Sequence, residues 1–349
     1  MEMHNVTISA TASVLPPTAL TNFELVQRLI DGARSRGSVD PVAEERALER
    51  AALIEKKTGL RSRRFFSSTD SPVDVGVSIL DQLMVGQDWA TLDAIIVSSS
   101  STHGFPGLSQ QIVAASREQN ERLGHPFILD IGSNACAGFT YAFTIGQSLI
   151  QAMNYKKVAL IAIEFSSRCI SYDPNAFGIS TLFGDAAAGV LLSSERSGIA
   201  SIVESRATSL VDNQTLSYVK GSGMSAHDQT VEVPQESRWF MAGPPVAIGA
   251  INILTDEIRR YQAEGHAIDW LIPHQANLKR ILFPSCEATG IEISKLCTSF
   301  EETGNTSSAS IPLLLDQLIR DTKPKSGDNA LLVGFGASFS IGSALICFQ

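Results

Sequence analysis

Strand-like apolar runs alternate with helix-like segments along most of this chain, and that alternation admits few architectures. Runs at 93–98, 127–131, 158–165, 188–192, 199–204, 268–272, 330–333 and 344–348 read as strands, with too few outward polar positions for sheets that face water. Helix-like segments lie between them, so the pattern is that of an α/β protein whose sheets are covered on both faces. The most clearly bounded helix spans 41–58: Asp40 can cap it, Pro41 suits the first helical position, and Gly59 can take the left-handed stop. Residues 136–153 carry no charged side chain, the pattern of a helix enclosed by protein on every side. Residues 329–349 carry none either. There Gly334, Gly336 and Gly342 and the serines between them leave two short runs, which read as a buried strand hairpin and not a membrane span.

Composition narrows the function classes. Hydrophobic residues make up 44% of the 349 positions and charged ones 18%, against roughly 25% charged in an average globular protein, so a large core is expected and disorder is excluded. A net charge of -9 repels phosphate backbones and offers no footprint for nucleic acid. Five widely spaced cysteines, Cys136, Cys169, Cys286, Cys297 and Cys347, contain no CxxC pair and suggest neither a disulfide framework nor a zinc site. With no basic start followed by an apolar run at the N-terminus, a reducing cytoplasm is the expected location. Residues 93–97 resemble 269–273, and 187–192 resemble 342–347, in the same order. Two similar halves, 1–200 and 201–349, are the implied organisation.

Three residues stand where chemistry could be done. Cys136 lies in a small-residue strand-to-helix turn, Asp130-Ile-Gly-Ser-Asn-Ala-Cys-Ala-Gly-Phe. At the first turn of a helix, unpaired amides and the dipole would stabilise a thiolate and lower the cysteine pKa, and the same amides could hold an oxyanion. A small buried cysteine that only packs would look the same in this segment. His274, in Ile272-Pro-His-Gln-Ala-Asn, follows an apolar strand, as a side chain presented into a cleft from a strand end would. Asn305, in Gly304-Asn-Thr-Ser-Ser, precedes a helix and by itself reads as a cap. Taken together, Cys, His and Asn in this order suit two chemistries: papain-like hydrolysis, which the segment around Cys136 does not resemble, and thiolase-like acyl condensation.

The surrounding strings favour the second. Thr58-Gly-Leu-Arg-Ser-Arg-Arg, Thr102-His-Gly-Phe-Pro, Ala135-Cys-Ala-Gly-Phe-Thr-Tyr-Ala, Phe183-Gly-Asp-Ala-Ala, Met241-Ala-Gly, Pro273-His-Gln-Ala-Asn-Leu, Gly304-Asn-Thr-Ser-Ser-Ala-Ser and Gly334-Phe-Gly-Ala-Ser-Phe occur in one order over nearly the whole chain. In these strings the sequence resembles the β-ketoacyl-acyl-carrier-protein synthase III family. That resemblance implies a five-layered αβαβα fold of two similar halves, and a homodimer. It makes Cys136 the acyl-accepting nucleophile. His274 and Asn305 become donors to the enolate left by decarboxylation of a malonyl or β-ketoacyl thioester, and the amides of Cys136 and Ala337 an oxyanion hole. No carboxylate neighbours His274 or Asn305 in sequence, and the chemistry needs neither a metal nor a redox cofactor.

The resemblance also assigns substrate contacts. Leu53 and Phe177 stand where family members clamp the adenine of coenzyme A with tryptophan and arginine. Pro244-Pro245 follows Met241-Ala-Gly where an asparagine is usual, and Gly336-Ala337-Ser338 replaces a glycine triplet. With the clamp dismantled, an acyl-carrier-protein thioester is the natural alternative to a coenzyme A thioester, and both donors stay open at this point. The basic group Lys56, Lys57, Arg61, Arg63 and Arg64, with Lys279 and Arg280, would attract an acidic carrier. Asn277 would line the pantetheine path, and Phe105 would reach into a partner subunit's acyl pocket. Acyl transfer to an oxygen, nitrogen or sulfur acceptor without decarboxylation is the alternative reaction on the same fold, and a catalytically silent subunit is a third.

Overall fold

The structure is a computed structural model describing residues 5–35, 37, 41–101, 104–169, 177–210, 217–219, 239–336 and 339–349. Its strands are β1 (Thr7–Val14), β2 (Ala19–Thr21), β3 (Ser62–Arg64), β4 (Leu92–Ser98), β5 (Phe127–Ile131), β6 (Lys157–Glu164), β7 (Ala186–Ser193), β8 (Ala200–Ser209), β9 (Ser217–Val219), β10 (Trp239–Met241), β11 (Trp270–Pro273), β12 (Asn329–Phe335) and β13 (Ser340–Phe348). Nine of them hydrogen-bond in the order β11-β12-β13-β8-β1-β7-β6-β4-β5. A short antiparallel contact, Thr7↔Ser201 and Ile8↔Ala200, joins β1 to β8 and so links the two groups of strands.

Helices α1 (Asn22–Ser35), α2 (Pro41–Thr58), α3 (Pro72–Leu83), α4 (Leu108–Gln119), α5 (Gly138–Met153), α6 (Phe177–Ser180), α7 (Gly243–Ala263), α8 (Phe283–Thr289), α9 (Phe300–Thr303) and α10 (Ser310–Gln317) complete the elements used below. Period-two alternation explains the layering. Along β6, Val158, Leu160 and Ala162 enter a core shared with Phe139 and Phe143 of α5 and Ile311, Leu314 and Leu315 of α10. The intervening Ala159, Ile161 and Ile163 enter a second core with Ile79 and Leu80 of α3 and Ile112 of α4. On the other side, β12 gives Ala330 and Leu332 to the first core. Its Leu331 and Val333 face a third, with Leu254 and Ile258 of α7 and Cys286 of α8. The result is five layers, α3/α4, sheet, α5/α10, sheet and α7/α8, as the resemblance implies.

The 329–349 stretch is the antiparallel hairpin β12–β13, with Val333 opposite Ser343. Helix α2 begins at Pro41, and Gly59 takes φ +88°; Asp40 lies outside the described residues. Helix α5 is not enclosed on every side. Phe139, Phe143, Gly146 and Ile150 are buried, whereas Met153 is 56% exposed. Uncharged polar residues such as Ser148, whose hydroxyl returns to the Thr144 carbonyl (2.8 Å), serve its outer face without a charge.

Candidate active site

The turn that carries Cys136 rests on the β12–β13 hairpin. Residues 135–137 form a tight turn ahead of α5, and Ala135 holds φ +46°, a left-handed conformation that side chains disfavour. A β-carbon at Gly334 or Gly342 would lie 2.5 or 2.2 Å from the Thr140 hydroxyl, and one at Gly336 only 2.2 Å from the Asn134 carbonyl. Three glycines therefore let the hairpin touch the start of α5.

Ser307 brings the three candidate residues together. Its hydroxyl donates to Cys136 Sγ (3.3 Å), and its amide donates to Asn305 Oδ1 (2.8 Å). Its carbonyl accepts from the Ser310 hydroxyl (2.8 Å), and Ser310 Oγ lies 3.0 Å from His274 Nδ1. Like Ala135, Ser307 is a non-glycine residue with positive φ, +48°. His274 and Asn305 are buried at 2% and 4% exposure, and the Phe335 ring meets the imidazole edge-on. Asn305 is fixed through its backbone, its amide on the Leu182 carbonyl (2.9 Å) and its carbonyl on the Gly184 amide (3.0 Å). With Oδ1 given to Ser307, the Nδ2 end of Asn305 is its free donor end.

Two electrostatic features correct the sequence reading. Burial pushes the Cys136 thiol up to about 12; the Ser307 hydrogen bond opposes this and the Glu164 charge reinforces it. Cys136 therefore rests as a thiol, and its place at a helix start does not make it a thiolate, because desolvation is the largest effect on it. The fold also brings a carboxylate close where the sequence neighbours offer none: Glu164 accepts from the amide and hydroxyl of Ser308, three residues beyond Asn305.

Burial also lowers His274 to about 3, against a hydrogen bond to the Ser307 carbonyl that works the other way, so the ring is neutral at pH 7. From the ordinary 6.5 down to about 3, the unfolded chain binds a proton here that the folded protein does not. This stabilisation is complete above pH 6.5 and is lost on acidification, with a slope of about 1.4 kcal/mol per pH unit. Denaturant unfolding at a series of pH values should show that slope, and His274→Gln should flatten it.

The remaining expected residues are spread around this centre. Phe105 is fully exposed on the β4–α4 connection, and Leu53 is 39% exposed on α2. Phe177 opens α6, but its side chain, like Ala337, Thr102 and His103, lies outside the described residues. Asn277 is half-buried, its Oδ1 accepting from the Arg280 amide (2.9 Å). Lys279 donates to the carbonyls of Glu55 and Lys56 (3.2 and 3.4 Å), closing the C-terminal end of α2, while Arg280 is exposed. The basic group is smaller than its sequence suggested. Arg63 points inward from β3, fully buried, and donates to the Thr181 carbonyl. Arg64 is held by the carbonyls of Pro16 and Pro17 (3.0 and 2.9 Å), and Arg61 pairs with Glu302 (3.4 Å). Lys56, Lys57, Lys279 and Arg280 remain outward. Ser307 and Glu164 were not singled out by sequence; the place of Ser307 inside a matched string was the one available signal.

Comparison with known proteins gives this arrangement its context. The family model for 3-oxoacyl-[acyl-carrier-protein] synthase III matches residues 129–209, and that for the C-terminal part of the same synthase matches 258–348. The chain is similar to a β-ketoacyl-[acyl-carrier-protein] synthase III of Pectobacterium atrosepticum, with 31% identity over 84% of this chain and 90% of that protein. The Pasteurella multocida synthase III is 28% identical over 98% of this chain and 99% of its own length. Among solved structures, the priming β-ketosynthase of the R1128 polyketide pathway superposes with a TM-score of 0.80 at 25% identity, covering 100% of this chain and 97% of that one. Sequence and layering agree. The chain belongs to the β-ketoacyl-[acyl-carrier-protein] synthase III family, thiolase-like acyltransferases that form carbon–carbon bonds by decarboxylative Claisen condensation in fatty-acid or polyketide biosynthesis.

Proposed function

We propose that Cys136 accepts an acyl group as a thioester and that His274 and Asn305 then stabilise the enolate of a malonyl or β-ketoacyl thioester that attacks it. The observation that carries this reading is the convergence of all three residues on Ser307. Neutral His274 suits an enolate, since in the tautomer that carries its proton on Nε2 it is a dipolar donor; the Ser310 hydroxyl, 3.0 Å from Nδ1, then turns from the Ser307 carbonyl to the unprotonated ring nitrogen. Asn305 offers Nδ2, and no proton need be taken from a cation. Decarboxylation leaves the carbanion, which attacks the acyl carbon; the resulting oxyanion is assigned to the amides of Cys136 and, by position, Ala337. None of these steps draws on a metal or redox cofactor.

The donor is assigned to acyl carrier protein. Lys56, Lys57, Lys279 and Arg280 gather on one surface of a chain with net charge -9, a favourable landing area for an acidic carrier. Leu53 provides no aromatic face for adenine, which argues against coenzyme A. A homodimer is also part of this reading. Strand β5 is the edge of the sheet with Phe127 43% exposed, and Phe105 projects nearby in sequence with its whole side chain in solvent. The two halves are taken to meet near residue 200, at the β1–β8 contact. Five widely spaced cysteines without a CxxC pair fit a reducing cytoplasm, and no described helix is long and apolar enough to cross a membrane.

Intact mass after incubation with acyl thioesters, each offered on carrier protein and on coenzyme A, tests the reading. An added acyl mass is expected on the wild type and not on Cys136→Ala, with carrier-bound donors reacting faster. Equal adducts on both proteins would remove Cys136 from its role, and faster reaction with coenzyme A donors would overturn the carrier assignment.

A further inference from the structure

Glu164 ends β6 with its side chain completely buried, and neither half-reaction above uses it. Its carboxylate is surrounded by the amides of Ser100, Ser101 and Ser308 (3.0, 3.2 and 3.2 Å) and the hydroxyls of the same serines (2.8, 2.8 and 2.5 Å). In every one of these contacts the carboxyl oxygens are the acceptors. From it a hydroxyl path leads to the nucleophile. Ser100 Oγ is 2.8 Å from Glu164 Oε2 and 2.7 Å from Ser307 Oγ, which is 3.3 Å from Cys136 Sγ. Ser307 keeps its positive φ while its amide is held by Asn305, and in that conformation its single hydroxyl reaches both Sγ and Ser100. Strain of this kind persists where the surroundings over-determine it.

We propose that Cys136 gives up its thiol proton along Ser307 and Ser100 to Glu164 as the acyl-enzyme forms. The inference rests on Cys136 being the acyl acceptor. In the step, the Ser307 hydroxyl turns from Sγ to Ser100 Oγ and accepts the thiol hydrogen; the thiol proton then passes to Ser307 Oγ, the Ser307 hydroxyl proton to Ser100 Oγ, and the Ser100 hydroxyl proton to Glu164 Oε2. The sulfur lone pair forms the new bond to the thioester carbon, whose π electrons move to oxygen. When the tetrahedral species collapses, the bond to the donor sulfur breaks and its electron pair leaves with the donor thiolate. The proton then returns from Glu164 through the same hydroxyls to that thiolate, and both serines end as neutral hydroxyls.

Charge supplies the reason for coupling the two groups. A thiolate beside ionised Glu164 would put two negative charges into one buried space, and the Glu164 charge already opposes ionisation of the thiol. Moving the proton from one to the other keeps a single charge throughout, as in a pair of acids that share one proton. The competing role for Glu164 is a structural pin that ties the end of β4 to residues 307–308 and moves no proton.

Single-turnover acylation of the full-length protein, followed by mass in mixtures of H2O and D2O, separates the two. Ser100→Ala is expected to slow acylation relative to malonyl-thioester decarboxylation by on the order of 10²-fold. It should also straighten a proton inventory that is curved in the wild type. Ser100→Thr, which keeps the hydroxyl, should restore both. Wild-type acylation rates in Ser100→Ala, a linear wild-type inventory, or equal loss of acylation and decarboxylation would each overturn the relay while leaving Cys136 as the acyl acceptor. Absence of any acyl mass on the wild type would remove that underlying role, and the relay with it. Glu164→Gln should repeat the Ser100→Ala result; if it does not fold, the two Ser100 variants decide alone.

Discussion

His274→Ala and Asn305→Ala are each expected to cut carbon dioxide release from a malonyl thioester by about 10³-fold, while His274→Ala leaves acyl transfer onto Cys136 in place. The expectation follows from where each side chain's hydrogen bonds go. His274 is 2% exposed and neutral, lowered to about 3 by burial, so it meets the enolate as a dipolar donor and not as a cation that would hold the carboxylate before it leaves. Asn305 has committed Oδ1 to the Ser307 amide at 2.8 Å, which turns its amide hydrogens toward the reacting oxygen. Asn305→Ala releases that amide and should therefore slow acylation as well. Asn305→Asp is the cleaner variant: it keeps an acceptor for Ser307 but replaces the donor with a charge of the enolate's own sign. Release of labelled carbon dioxide, measured beside the intact mass of the acyl-enzyme, separates the half-reactions. Undiminished decarboxylation in His274→Ala and Asn305→Asp would move the enolate site elsewhere, whereas an acyl-enzyme with no carbon dioxide release from the wild type would favour transfer to a heteroatom acceptor.

Which parts of this molecule could be read from its sequence depends on how local their physical signals are. Eight strand runs were legible because both faces of each sheet are covered, so the strands are almost continuously apolar. Strand β1 was not, although it lies between β7 and β8. Its polar positions are Thr and Ser, whose hydroxyls find buried partners, as Thr11 does on Asp316 at 2.8 Å. The inward turn of Arg63 was likewise hidden. A run of basic residues reads as surface until a short strand sends alternate side chains in opposite directions. Cys136, His274 and Asn305 were each visible at an element boundary. Ser307 and Glu164 were not, because the first meets Cys136 across 171 positions and the second meets Ser308 across 144. The same distance explains the reversed expectation for the Cys136 thiol: a helix start is written locally, whereas desolvation and a neighbouring carboxylate exist only after the chain has closed around them.

Gly336→Ala should slow acyl loading by about 10²–10³-fold in a protein that still folds. A β-carbon there would stand 2.2 Å from the Asn134 carbonyl oxygen, 2.9 Å from the Ala137 nitrogen and 3.1 Å from the Cys136 nitrogen. All three are backbone atoms, so no side chain can rotate away. The hairpin cannot easily retreat, since Gly336 donates to the Ser340 carbonyl (2.9 Å) and accepts from the Phe339 amide (3.0 Å). The strain must then fall on the 134–137 turn, where Ala135 is already left-handed at φ +46°. Displacing this turn by about 1 Å misplaces both Sγ and the Cys136 amide, which is enough for losses of this size. Overpacking of this kind costs about 1–3 kcal/mol of stability, so thermal unfolding should remain cooperative at a lower midpoint. Gly124→Ala, at a position with no heavy atom within 4 Å of the added carbon, is the matched control and should change neither readout. If Gly336→Ala loads acyl groups at the wild-type rate, the hairpin does not set the position of the nucleophile, and the close approach of the three glycines serves packing alone.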